Sequence, residues 1–192
     1  MRVPNQGWKK IEVYPALLIY FTGKYGSLAM TRWTSTEERY GLVPIVLHWT
    51  MAVMIIVLFF LGEYMTGLEY THPWYHLAPN LHKSLGLIVF ALLVIRAAWT
   101  LINKKPAPVP MPDWERKTAS VVQKLFYILL FGIAASGYLI PTADGGPVEF
   151  FNLFELPAIV SNIDRQEVVA GDIHGLLTHI MMALVVLHAL AA

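Results

Sequence analysis

Residues 173–192 read IHGLLTHIMMALVVLHALAA. Twenty residues without a carboxylate, lysine or arginine suffice to cross the hydrocarbon core of a bilayer as a helix, at 1.5 Å per residue over about 30 Å. Yet the run holds three histidines. An imidazole inside a bilayer is costly enough to be read as functional. His174 and His188 are fourteen residues apart. On a helix that is about 21 Å along the axis and within about 40° of whole turns, so both rings lie on one face at two depths. His179 stands about 140° round from His174 and points elsewhere, toward lipid or a neighbouring helix.

Working outward, three further stretches of the same character fall at about 44–62, 84–103 and 122–142, with 173–192 as the fourth. The whole chain agrees with them. Of its 192 residues 56% are hydrophobic and only 14% charged, against about 25% charged in soluble domains. That excludes an ordinary soluble enzyme and a disordered chain. The predicted fold is all-α, an integral membrane four-helix bundle spanning residues 37–192. Net charge is +1, so nothing favours a nucleic-acid partner. There is no cysteine, which removes disulfides, thiolate metal sites, iron–sulfur clusters and the C-x-x-C-H haem attachment.

The connecting segments are polar. KKPAPVPMPDWER at 104–116 is a proline-rich turn, and 144–172 is long for a bundle loop and carries mixed charge. Basic residues cluster before the first span (Arg32, Arg39) and in the middle loop (Lys104, Lys105, Arg116, Lys117), and are scarce in the first and third loops. By the positive-inside rule both termini face the cytoplasm. Residues 1–36 read as an N-terminal extension, with Met30 the expected true start.

Depth sorts the histidines. His48 lies near the cytoplasmic start of the first span and His188 at the same level in the fourth; His82 and His174 open the second and fourth spans on the outer side. Two levels with two facing imidazoles each suit two haems with bis-histidine iron, and with both axial positions filled the expected work is electron transfer. Zinc or di-iron sites would need carboxylates inside the spans, and a proton relay would usually recruit them too. His72 and His76 read as exposed loop residues. Arg96, the one charge within a span, lies fourteen residues after His82 and so near the inner level. It either meets a haem propionate or quinone oxygen or snorkels to the headgroups. Lys83 either attracts an anionic donor, holds an outer propionate or contacts headgroups. Gly86 and Gly175, near His82 and His174, would let a flat ring or a helix approach.

LHWT at 47–50, LHKSLGLIVFALLVIRAAW at 81–99, YILLFGIAASGYLI at 127–140 and DIHGLLTHIMMALVVLHALAA at 172–192 together resemble the four helices of the prokaryotic cytochrome b561 family. The resemblance covers about residues 37–192 and implies a place in a bacterial inner membrane. It implies two b haems with His48, His82, His174 and His188 as iron ligands, and electron exchange with ubiquinone or another quinone. Some members resemble superoxide:quinone oxidoreductases. Other related cytochromes anchor hydrogenases or dehydrogenases, so a membrane-anchor subunit is the alternative. A haem-free, histidine-based proton transporter is the remaining rival. The other expected partners are the bilayer and a small electron donor or redox protein, with no nucleic acid; a homo-oligomer is compatible. Two departures stand out. Members often carry a histidine early in helix 3 where this sequence has Gln123-Lys124, and a basic tail after the last ligand where this one ends four residues past His188. The latter reads as a truncation or an inner site short of its last turn.

Overall fold

The computed structural model describes residues 33–108 and 110–191. Its elements in chain order are α1 (Leu42–Thr66), α2 (Leu77–Ile102), α3 (Asp113–Leu139), β1 (Val148–Phe150), β2 (Phe154–Leu156) and α4 (Gln166–Ala191). Most of the proposed N-terminal extension, residues 1–32, lies outside the described residues.

Local chemistry sets the helix ends. Pro44 and Pro79 fall in the first turns of α1 and α2, where the missing N–H has no helical partner to lose. Asp113 and Glu115 occupy the first turn of α3, where negative charge meets the positive end of the helix dipole. Pro141 follows α3 directly after Ile140, and the residue before a proline resists helical geometry.

All four helices are long and apolar enough to cross a membrane. At 25 to 27 residues each they run about 38–40 Å, longer than the hydrocarbon core. Their outward faces are apolar: Phe60, Ile128 and Leu187 are each more than half exposed. Only a thin set of apolar side chains, Met51, Val89, Leu93, Leu129 and Met181 among them, is buried inside the helices. Apolar surface on this scale is stable only where lipid covers it. The chain is a multi-pass membrane protein.

The helices run alternately up and down. One end of the bundle, the hairpin face, carries residues 67–76 and 140–165. The opposite face carries residues 33–41, 103–108 and 110–112. Contact is closest along the α1–α2 and α3–α4 seams, intermediate between α2 and α3, and light between α1 and α4.

Two expectations need correcting. Each helix extends beyond its apolar stretch, α3 by nine residues and α4 by seven at the amino-terminal end. Hydropathy detects the lipid-covered part and misses polar turns that continue the same helix outside it. His82 and His174 therefore lie five and eight residues inside their helices, not at the starts. The long third loop also contains a two-stranded antiparallel hairpin, with Val148 opposite Leu156 and Glu149 opposite Glu155.

That hairpin is tied down. The Phe151 N–H donates to Ser84 Oγ at 2.9 Å, and Asn80 Nδ2 donates to Asn152 Oδ1 at 3.0 Å. The anchors hold Phe151 and Asn152 at φ 47° and 56°, a region that asparagine tolerates better than a bulky side chain. The Tyr138 hydroxyl donates to the Pro157 carbonyl and accepts from the Ile159 N–H at 3.0 Å. Gln166 Nε2 reaches the Leu139 and Val160 carbonyls. On the opposite face, Ser35 Oγ accepts from Gly41 N–H at 3.2 Å and from Asn103 Nδ2 at 3.1 Å. This draws residues 33–41 against the end of α2. A side chain at position 41 would overlap the backbone at Thr34, so glycine is required there.

Candidate functional site

Four of the histidines named from sequence come together in two pairs. The ring centroids of His82 (α2) and His174 (α4) are 6.2 Å apart. Those of His48 (α1) and His188 (α4) are 6.3 Å apart. The first pair lies toward the hairpin face and the second toward the opposite face, with both α4 members on one side of that helix.

The spacing tests what such a pair can hold. Two imidazole nitrogens each about 2 Å from one metal, with ring centroids about 1.1 Å behind them, place the centroids about 6.2 Å apart. A bare zinc ion would demand three or four protein ligands, but among the described residues no three His, Cys, Asp or Glu converge. An iron porphyrin brings four nitrogens of its own and asks the protein for two. The donor set fits a haem at each pair.

Ring orientation is set differently at each position. His174 Nδ1 lies 2.9 Å from the Ile133 carbonyl and 3.4 Å from Ser136 Oγ. A carbonyl only accepts, so Nδ1 carries the proton and Nε2 is left as the donor to a metal. Ser136 Oγ in turn donates to the Gly132 carbonyl at 2.7 Å. Phe126 stands edge-on to His188 at 5.5 Å, and Trp49 to His48 at 5.5 Å.

Glycines shape the hairpin-side pair. A Cβ at Gly137 would meet His174 Cε1 at 2.8 Å, and one at Gly62 would meet His82 Cε1 at 3.2 Å. These two were not singled out from sequence. Gly86 and Gly175, which were, have nothing within 4 Å of where a Cβ would be. They admit a neighbour without touching one among the described residues.

Arg96 does not snorkel away. Its Nη1 lies 3.1 Å from His48 Nδ1, which puts a guanidinium at the second pair. Two further groups in this half of the bundle, Trp99 Nε1 and the Tyr127 hydroxyl, are buried without a hydrogen-bond partner among the described residues. Trp99 follows Arg96 by one turn, and Tyr127 follows Phe126. Buried polar groups are rarely left unpaired, and the carboxylate arms of a haem are acceptors of the right kind. Lys83, beside His82, is half-buried.

His72 and His76 are exposed on the hairpin face. His179 points away from both pairs, and it has a partner that the sequence reading missed: Glu63 of α1, with Oε1 at 3.7 Å from His179 Nε2. The signal available was a carboxylate directly after the apolar run of the first span.

A family model described as prokaryotic cytochrome b561 matches residues 39–192. Among curated proteins, the chain is 40% identical over 160 residues to cytochrome b561 homolog 2 of Escherichia coli (strain K12), covering 83% of this chain and 85% of that one. It is 23% identical over 156 residues to cytochrome b561 homolog 1 of the same organism, covering 81% and 88%.

Proposed function

The chain belongs to the prokaryotic cytochrome b561 family, and on that premise we propose that it is a di-haem b-type cytochrome linking the two sides of an inner membrane to a quinone. Membership already implies a membrane cytochrome that transfers electrons. The finer reading rests on one observation, the two histidine pairs with centroids 6.2 and 6.3 Å apart at two depths.

In this reading His82 and His174 hold one haem and His48 and His188 the other. Bound there, each supplies a reversible one-electron change at iron. The protein's own part is to present Nε2 of His174 by fixing Nδ1 on Ile133, to offer two imidazoles at each site, and to keep water out with an apolar bundle. Arg96, Trp99 and Tyr127 would receive the propionates of the second haem, and Lys83 would meet one of the first. The cluster of Lys104, Lys105, Arg116 and Lys117 at the opposite face supports a cytoplasmic location for that face.

Superoxide as the donor is the less favoured form of this reading. The hairpin face carries Glu69, Asp144, Glu149, Glu155, Asp164 and Glu167 against Lys83 and Arg165. An anion approaches against that field. A subunit role beside a hydrogenase or dehydrogenase is a second reading, favoured by Leu153 and Ile159, which stand 77% and 83% exposed on the loop outside the helices.

The deciding experiment is haem stoichiometry on purified protein, with a reduced-minus-oxidised spectrum. Two six-coordinate b haems per chain are expected; none, or a five-coordinate signal, defeats the proposal. Co-purification of a large soluble redox subunit would establish the second reading.

A further inference from the structure

A polar pair lies outside the two histidine couples. His179 Nε2 on α4 faces Glu63 Oε1 on α1 at 3.7 Å, with side chains 61% and 54% exposed. His179 is five residues, about 7.5 Å, further into the bundle than His174. Glu63 follows Gly62, whose missing side chain makes room for His82. The pair thus lies beside the hairpin-side couple, on the seam where α1 and α4 touch only lightly. Both side chains open outward from the bundle at the level where the apolar run of α1 ends, within reach of a molecule dissolved in the bilayer. Ionisable groups on a lipid-facing surface are costly and are kept for a use.

The chemistry of the pair is specific. His179 Nδ1 is 2.8 Å from the Gly175 carbonyl. That oxygen only accepts, so Nδ1 holds the proton and Nε2 presents a lone pair. Glu63, at 3.7 Å, is too far for a hydrogen bond. Nε2 is therefore an open acceptor with a carboxylate behind it. Phe59 stands edge-on to His179 at 5.4 Å and gives the seam an aromatic wall.

We propose that this pair binds and deprotonates a quinol dissolved in the bilayer. The inference rests on the quinone-linked reading above and deepens it by naming the site. The ligand must arrive through lipid, bring an O–H to Nε2, and give up electrons beside the His82–His174 couple; a hydroxylated redox ring does all three. Each quinol loses two electrons and two protons in two one-electron steps. In each step one O–H bond breaks and the proton passes to His179 Nε2. It moves on to the Glu63 carboxylate, and then to water at the hairpin face, three residues from the end of α1 at Thr66. The electron would go to the ferric haem iron that His82 and His174 would hold, which would hand it to the second haem before the next step. The product is the quinone, and the reverse sequence takes protons up.

The test uses haem-loaded protein in phosphatidylcholine vesicles, as wild type, His179→Phe and Glu63→Gln. Haem content and the dithionite-reduced spectrum show that each variant is intact. Stopped-flow reduction by duroquinol reads the transfer, and photolabelling with an azidoquinone followed by peptide mapping reads binding without turnover. The expected result is full haem loading, reduction slowed about a hundredfold in His179→Phe, the range for loss of a proton acceptor, a smaller slowing in Glu63→Gln, and label on α1 and α4 flanking the pair. Should His179→Phe load poorly, the isosteric Glu63→Gln decides. Wild-type rates in the variants, or label confined to other helices, overturn the site while leaving the quinone reading intact. Wild-type protein that duroquinol does not reduce overturns both.

Discussion

The ring of His174 is held between Gly137 and the Ile133 carbonyl: a Cβ at position 137 would meet its Cε1 at 2.8 Å, while Nδ1 is bonded at 2.9 Å on the other side. The ring cannot yield in either direction without losing the hydrogen bond that aims Nε2. Gly137→Val is therefore expected to lose the hairpin-side haem and keep the other, halving haem per chain in a pyridine haemochrome assay. Gly62→Ala, where the corresponding approach is 3.2 Å, should be milder and show a shifted band with retained haem. Full loading of Gly137→Val would show that the His174 ring does not hold a haem in this position.

Removing one imidazole from each couple separates the two sites. His174→Ala and His48→Ala are each expected to bind one haem, and the double variant none. The residual spectra should differ, because Arg96 is next to only one of the couples. A histidine-based proton transporter without haem predicts no absorbance change in either variant, so the same spectra decide between the classes.

Much of this was legible in the sequence because two periodicities coincide. Fourteen residues on a helix fix both depth and angle for His174 and His188, and the apolar runs fix the spans. What was not legible depends on contacts between helices. Gly62 and Gly137 matter only because His82 and His174 approach them from other helices, and nothing in the local sequence separates them from Gly86 and Gly175. Glu63 was missed because it falls just past its apolar run, yet from there on α1 it meets His179 on α4. The hairpin was missed because three-residue strands carry no usable alternation, and its hold on the bundle comes from Ser84 and Asn80, both remote in sequence.

Ser84 gives a prediction about that hold. Its side chain is fully buried and accepts the Phe151 N–H at 2.9 Å. Ser84→Ala leaves a half-buried donor unpaired at a residue in left-handed conformation, a loss of about 1 kcal/mol. Amide exchange at Phe151 should quicken severalfold, with haem content unchanged. Unaltered exchange would mean that the contacts of Asn80 and Tyr138 suffice to hold the hairpin.

Arg96 and His48 make the last prediction. A guanidinium only donates, so its contact with His48 Nδ1 at 3.1 Å requires a lone pair there and the proton on Nε2. Iron on Nε2 requires the reverse. Loading of the second couple must therefore turn Arg96 from Nδ1 toward another acceptor, and a propionate is the acceptor that arrives with the haem. There the cation still favours the reduced, less positive iron. Arg96→Leu should lower the midpoint potential of one haem and leave the other unmoved. A unit charge about 8 Å from iron at an effective dielectric near 20 is worth about 2 kcal/mol, or about 90 mV for one electron, before the propionate offsets it. A drop of tens of millivolts is thus expected in a potentiometric titration, with Arg96→Lys keeping most of the original value. Two unchanged potentials in Arg96→Leu would place the guanidinium away from either haem once the protein is loaded.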